Sequence, residues 1–239
     1  MKKAIIFIDI ETVPQFKDFH LLPERQQELW KKKASLLKAE DPTEAYLQKA
    51  GIYAEFGKII TIALGIHFKD KDQKWHLRIR SITNHNEKNL LIDFIQLLQD
   101  KFDQTKIIFC AHNGKEFDYP YLCRRILINS LALPSCLQLA GKKPWEIAHI
   151  DTLEMWKFGD YKNYTSLETL ATVFNIPTSK DDIDGSQVRD AYYEDNALNR
   201  IERYCQNDVI VTSQVYLKLT GKELVIENNI ERISDETMS

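Results

Sequence analysis

Apolar positions along the chain fall into two spacings. Residues 4–8 (AIIFI) form a continuous β-branched and aromatic run, the pattern of a strand buried on both faces. Residues 58–68 form a second such run, and residues 74–82 alternate polar and apolar, as a more exposed hairpin partner does. Residues 106–110 and 148–152 read as two further short strands. Between these runs the spacing becomes helical. Residues 23–40 read as a charged helix opened by Pro23, and residues 89–102 carry apolar side chains at 90, 91, 94, 95, 97 and 98, a helix packed on one face. Residues 119–129, 166–174 and 196–219 read as helices as well. An early meander of strands followed by strands alternating with helices is the α/β signature. Residues 222–239 are polar and read as a helix or a loose tail.

With 239 residues, 44% of them apolar and 28% charged, the chain has ordinary globular usage and enough apolar mass for one large domain or two small ones. Global disorder is excluded. The four cysteines are scattered without a CxxC pair, so neither a zinc module nor a disulfide framework is indicated. No run approaches the ~18 apolar residues of a membrane span, and the first apolar run is too short for a secretion signal. A soluble, cytoplasmic protein is expected. The formal charge of −3 argues against a generally basic protein that coats nucleic acid, but not against an enzyme acting on nucleic acid at one local site.

The informative anomaly is where certain acids sit. Asp9 and Glu11 close the first strand on the same face as Ile5 and Phe7, with backbones only ~6.6 Å apart. Two like charges at the end of a buried strand repel each other and resist desolvation, and a divalent cation removes both penalties. The alternative is a strand that simply runs out into solvent. In the last helix Ile201, Tyr204, Cys205, Val209, Thr212, Val215, Tyr216 and Leu219 trace an inward stripe, and Asp208 falls on it, one turn after Tyr204. A mid-helix Asp finds no free backbone N–H groups to bond. Asp118 follows a polar loop; by itself it also fits a helix N-cap with Pro120 in the first turn. His112 has no His or Cys partner at ligand spacing and reads as structural.

Taken together, Asp9-Ile-Glu11-Thr12, Asn113-Gly-Lys-Glu-Phe117-Asp118 and Tyr204-Cys-Gln-Asn-Asp208 resemble the three motifs of the DEDD superfamily of 3′–5′ exonucleases. Tyr204 lies four residues before Asp208, as in the tyrosine subclass (DEDDy); the position that holds histidine in the other subclass is Arg203. Phe56-Gly-Lys-Ile-Ile-Thr-Ile, Phe117-Asp118-Tyr-Pro-Tyr-Leu, His149-Ile-Asp151-Thr and Ser166-Leu-Glu-Thr-Leu-Ala are similar to the proofreading domain of family-B DNA polymerases. The resemblance spans roughly residues 4–217. It implies a ribonuclease H-like (DnaQ-like exonuclease) fold, with a mixed central sheet flanked by helices, over residues 1–220, followed by a C-terminal tail at 221–239. Asp9 sits close to the start and little chain follows Asp208, so a free-standing exonuclease is expected rather than a polymerase.

The resemblance further implies two Mg²⁺ or Mn²⁺ ions held by Asp9, Glu11, Asp118 and Asp208, with Tyr204 positioning the attacking water; hard oxygen donors without His suit these ions better than zinc. The expected reaction is hydrolysis of phosphodiester bonds from a 3′ end, releasing nucleoside 5′-monophosphates. Single-stranded DNA is the favoured substrate, with RNA or short oligonucleotides as the alternative. A catalytically silent nucleic-acid-binding module of the same fold stands behind both. Thr12, Asn113 and Phe117 are candidates for gripping the strand, Phe117 alternatively for core packing. Lys31-Lys32-Lys33, Arg124-Arg125 and Lys142-Lys143 read mainly as solvated faces rather than phosphate contacts. The net acid excess is smaller than the four proposed ligands, so net charge does not oppose a polyanionic substrate.

Overall fold

The computed structural model describes residues 3–160, 164–178 and 183–233. In chain order the main elements are β1 (Ala4–Pro14), α1 (Glu24–Leu36), α2 (Pro42–Lys49), β2 (Gly57–Lys69), β3 (Trp75–Thr83), α3 (Glu87–Lys101), β4 (Ile107–Ala111), α4 (Asp118–Ile128), β5 (Ile150–Asp151), α5 (Thr152–Lys157), α6 (Leu167–Val173), α7 (Val188–Tyr193), α8 (Leu198–Leu219) and β6 (Ile230–Ile233). The six strands form one mixed sheet in the order β5-β4-β1-β2-β3-β6, antiparallel from β1 through β3 and parallel elsewhere.

The strand alternation of β1 assigns its two faces. Ile6, Ile8 and Ile10 pack with Leu90, Phe94 and Leu98 of α3 and Leu122 and Ile126 of α4. Phe7 packs on the other face with Ala63, Ile79 and, from α8, Cys205 and Val209. The helix crosses so close that a Cβ placed on Gly65 would lie 2.7 Å from a Val209 methyl carbon. The odd-numbered face of β1, which carries Asp9 and Glu11, is therefore the face that α8 covers. No helix among the described residues is long and apolar enough to cross a membrane.

Local pattern and structure part company at several places, the short helices α5 and α7 among them. β1 does not end at its carboxylates: it runs on to Pro14, paired to Gly57 of β2, with a register shift between Glu11 and Thr12. The alternative of a strand running out into solvent is thereby removed. The charged segment read as one helix is two, α1 and α2, because Lys38 takes a left-handed φ of 56° and Asp41 caps a new helix by accepting from the Thr43 N–H at 2.7 Å. The two helices enclose their own cluster around Trp30 and Tyr46. β5 is only two residues long. The segment read as a helix or loose tail supplies β6, parallel to β3 with Ile230 opposite Leu77. Such pairing across the whole chain length leaves no local signature.

Candidate active site

Three elements deliver the carboxylates. β1 presents Asp9 and Glu11 at positions two apart, hence on one face. α8 lies over that face and presents Tyr204 and Asp208 one turn apart, anchored by Ile201, Cys205 and Val209, all fully buried. Cys205 ties helix to strand, its thiol donating to the Asp9 carbonyl at 3.4 Å. Asp118 opens α4; the residue before it, Phe117, takes the N-cap position without a side-chain cap bond, so Asp118 is not the cap that its sequence context also allowed. Its carboxylate accepts from the Ile10 N–H, reaching back to β1, and is only 4% exposed.

The turn ahead of α4 is held by Asp151, whose two oxygens accept from the Asn113 N–H at 2.9 Å and the Lys115 N–H at 3.0 Å while the same carboxylate caps α5 at Leu153. Asn113 occupies a left-handed φ of 61° there. Its role in the structure is this turn. Gly114 closes the approach, since a Cβ added to it would meet the Ala111 Cβ at 2.5 Å. Asp151 is the residue that motif reasoning passed over as pattern; an acid between a strand and a following helix was the signal available.

Electrostatically the site is a cluster of acids held apart from water. Burial raises the Asp9 and Glu11 carboxyls far above their ordinary range, and the charges of Asp208 and Asp118 add to both. Asp118 is pushed up to about 7, chiefly by burial. The Asp9 Oδ2 and Asp118 Oδ1 atoms are buried without a hydrogen-bond partner. Tyr204 shares a hydrogen bond with Asp208, and burial together with the surrounding carboxylates raises its hydroxyl so far that it stays protonated. His112 bonds Thr152 at 3.0 Å and the Thr165 carbonyl at 2.9 Å, which makes it structural, as its isolation in the sequence indicated.

Two clefts adjoin this cluster. The larger, about 680 Å³, is walled by Asp9, Tyr204 and Asp208 on one side and by Tyr164, Glu168 and Asp184 on the other. The smaller, about 290 Å³, takes in Glu11, Thr12 and Phe117 with Gln48, Ile52 and Arg189. Thr12 and Phe117 thus share a cleft beside the carboxylates, whereas Asn113 lines neither. Phe117 also packs on Tyr121 at a 5.3 Å centroid distance, so it lines the cleft and packs against α4 at once. The contributions of α2 and of residues 183–187 were not legible in the sequence, because they come from a helix and a loop without motif character, whereas Ser166 and Glu168 belong to the Ser166-Leu-Glu-Thr-Leu-Ala motif. Of the basic pairs, Arg125 proves neither solvated nor available: it is buried in an ion pair with Glu87.

Donor atoms of Asp9, Glu11 and Cys205 lie within 4.8 Å of one another, the reach of one cation's ligand shell. Together with the two orphaned carboxylate oxygens, this donor set fits a divalent metal. A family described as a predicted 3′–5′ exonuclease related to the exonuclease domain of PolB matches residues 52–234. The chain belongs to this family. It is accordingly a nuclease of the hydrolase class that binds nucleic acid, and exonuclease domains of this kind generally depend on a divalent metal. The match includes Asp118, Tyr204 and Asp208; Asp9 and Glu11 precede it and join the same carboxylate cluster through the geometry of β1. The fold is similar to that of the family B DNA polymerase from the hyperthermophilic archaeon Pyrobaculum calidifontis, at 12% identity and a TM-score of 0.51 over 92% of this chain. The match covers 25% of the polymerase chain, and the likeness is of fold, ribonuclease H-like. Comparison with curated proteins gave no match.

The raised carboxyls set a pH dependence for the metal-free exonuclease. Below about pH 4 these groups are protonated in both folded and unfolded chains; as pH rises toward about 7 the unfolded chain ionises first, and folding stability is lost. In chelator the melting temperature should therefore fall across this window. At neutral pH, Mg²⁺ or Mn²⁺ at a hundredfold excess over Kd should restore about 2.7 kcal/mol, several degrees for a chain of this size. Thermal melts with and without metal at stepped pH check both; identical profiles in metal and chelator would count against a cation at these carboxylates.

Proposed function

We propose that this exonuclease removes nucleotides from the 3′ end of single-stranded DNA, with Asp9, Glu11, Asp118 and Asp208 holding two Mg²⁺ or Mn²⁺ ions and nucleoside 5′-monophosphates as products. Residues 1–220 would carry the catalytic unit, with 221–239 contributing the edge strand β6. The reading rests most heavily on one observation: two carboxylates that converge from separate elements each keep a buried oxygen with no hydrogen-bond partner. Such atoms are costly unless a cation completes them. When bound, two divalent ions supply charge neutralisation at the phosphate and a more acidic attacking water.

The chain's own groups do the rest. Tyr204, protonated at any physiological pH, cannot accept the water's proton; its hydroxyl orients the water by hydrogen bonding, one helical turn from Asp208. Thr12 and Phe117 offer the terminal nucleotide a hydroxyl and an aromatic face in the smaller cleft. Stacking of a base on such a ring is typically worth ~1–3 kcal/mol. The Cys205 thiol has its proton engaged with Asp9 and its own ionisation suppressed by burial, which leaves oxygen donors to set the metal preference.

Incubation of 3′- and 5′-labelled single strands with Mn²⁺ tests the proposal. A 5′-labelled DNA strand should give a ladder shortening from its 3′ end, while a 3′-labelled strand releases labelled mononucleotide at once. Cleavage of RNA as fast as DNA would overturn the substrate preference. Intact strands of both kinds would sink the enzymatic reading and leave a binding module.

A further inference from the structure

The larger cleft raises a charge problem. Its described walls include Asp9, Glu168, Asp184 and Asp208 and no Lys or Arg, so a polyanionic strand leaving the cleft meets carboxylates beyond the reach of any metal held at Asp9 and Asp208. Nearby cations are already engaged: Lys115 by Glu154 at 2.6 Å, and Arg189, in the smaller cleft, by Asp190 and by Glu194 at 3.3 Å. Two arginines are not. Arg232 lies on β6 opposite Ile79, whose side chain packs beneath α8, so strand alternation turns Arg232 toward that helix. It is exposed, and its one hydrogen bond among the described residues runs to the Oδ1 of Asn207 at 2.9 Å. Asn207 is itself a wall residue of the larger cleft. Arg203 is exposed on α8, next to Tyr204 and one turn before Asn207, which puts it on the same helical face, and it takes no ion-pair partner among the described residues.

We propose that Arg203 and Arg232 form a phosphate track that carries the strand 5′ of the scissile bond out of the cleft and over the outer face of α8. The proposal rests on the exonuclease reading of the site. It assigns the C-terminal strand a binding role: β6 holds a guanidinium beside the cleft that no residue of the sheet's other strands supplies. Arg rather than Lys suits the place, because the planar fork can bond Asn207 with one nitrogen and still present others to a phosphate.

Binding of fluorescein-labelled oligothymidylates, from two to about twelve nucleotides, is measured by anisotropy at several salt concentrations in a non-cleaving Asp9→Asn background. Adding Arg203→Ala and Arg232→Ala together should weaken binding of the longest strand roughly tenfold and leave the dinucleotide unchanged. The logarithmic salt slope should shrink by roughly 1.4, about 0.7 for each phosphate that the variant no longer neutralises. With Asp9 intact, the same pair should raise KM on long strands and leave kcat as it was. Arg232→Lys should retain most of the salt slope. A double variant with wild-type slope and affinity overturns the track. So does equal loss for dinucleotide and long strand, or an Arg232→Lys protein as impaired as Arg232→Ala, which would reduce Arg232 to a strut for Asn207. Failure of the exonuclease reading shows separately, as a wild-type protein that digests no strand.

Discussion

The Asp9→Asn protein is expected to hydrolyse a single strand at least about 10³-fold more slowly than wild type at saturating Mg²⁺, and to melt no lower than wild type in chelator. Both halves follow from one geometry. Asp9 shares a ligand-sized space with Glu11, feels the charges of Asp208 and Asp118, and keeps one oxygen without a partner. Asparagine matches its shape but supplies no charge, and loss of the electrostatic stabilisation that metal ions give a phosphoryl transition state is worth several kcal/mol. Without metal, the same replacement takes one anion out of a buried cluster whose members repel, which favours the fold. Low activity in a protein that melts normally separates chemistry from misfolding. A rate within tenfold of wild type would place catalysis somewhere other than this cluster.

Breaking the Glu87–Arg125 pair should produce the largest loss of stability. Both side chains are more than nine-tenths buried, and each is fully bonded: Arg125 donates to Glu87 at 2.8 and 2.5 Å and to the Ala54 carbonyl at 2.7 Å, while Glu87 also accepts from the Ile59 N–H and from Asn129. The pair thereby joins α3, α4, the start of β2 and the loop after α2, all of which frame the smaller cleft or the helix that Asp118 opens. Arg125→Met leaves the Glu87 charge buried without its cation, a change that costs about 3–5 kcal/mol. Replacing both partners with apolar residues of similar size should recover much of it, because no charge is then stranded. Urea denaturation of the single and double variants gives both numbers. A single variant less than about 1 kcal/mol below wild type would mean that the pair is not insulated from water.

Much of the exonuclease was legible one residue at a time. The runs at 4–8, 58–68 and 106–110 identified three sheet strands because burial on both faces demands unbroken apolar chain, and residues 89–102 identified α3 by its period. The candidate site was legible for a different reason: carboxylates at positions that packing reserves for apolar groups need an explanation, and Asp9, Glu11 and Asp208 each stood on such a position. Arg125 shows where this reasoning fails. A basic dipeptide on a helix reads as solvated surface, and only the arrival of Glu87 from α3, 38 positions away in the chain, makes burial of its charge tolerable.

The sequence by itself determined the α/β class and the helical and strand periods that build it, since local geometry acts on each segment alone, and through its resemblance to the exonuclease motifs it named four acids and one tyrosine as candidates. Tertiary structure decided what depends on distant segments meeting. It carried β1 past its acids to pair with β2 and brought Asp118 to β1 through the Ile10 amide. It also made Asp151 the clamp on the turn before α4, and turned the polar C-terminal segment into an edge strand whose Arg232 reaches the cleft wall. Each of these is a contact between residues far apart in sequence, and its free energy comes from pairing and desolvation that no single segment contains.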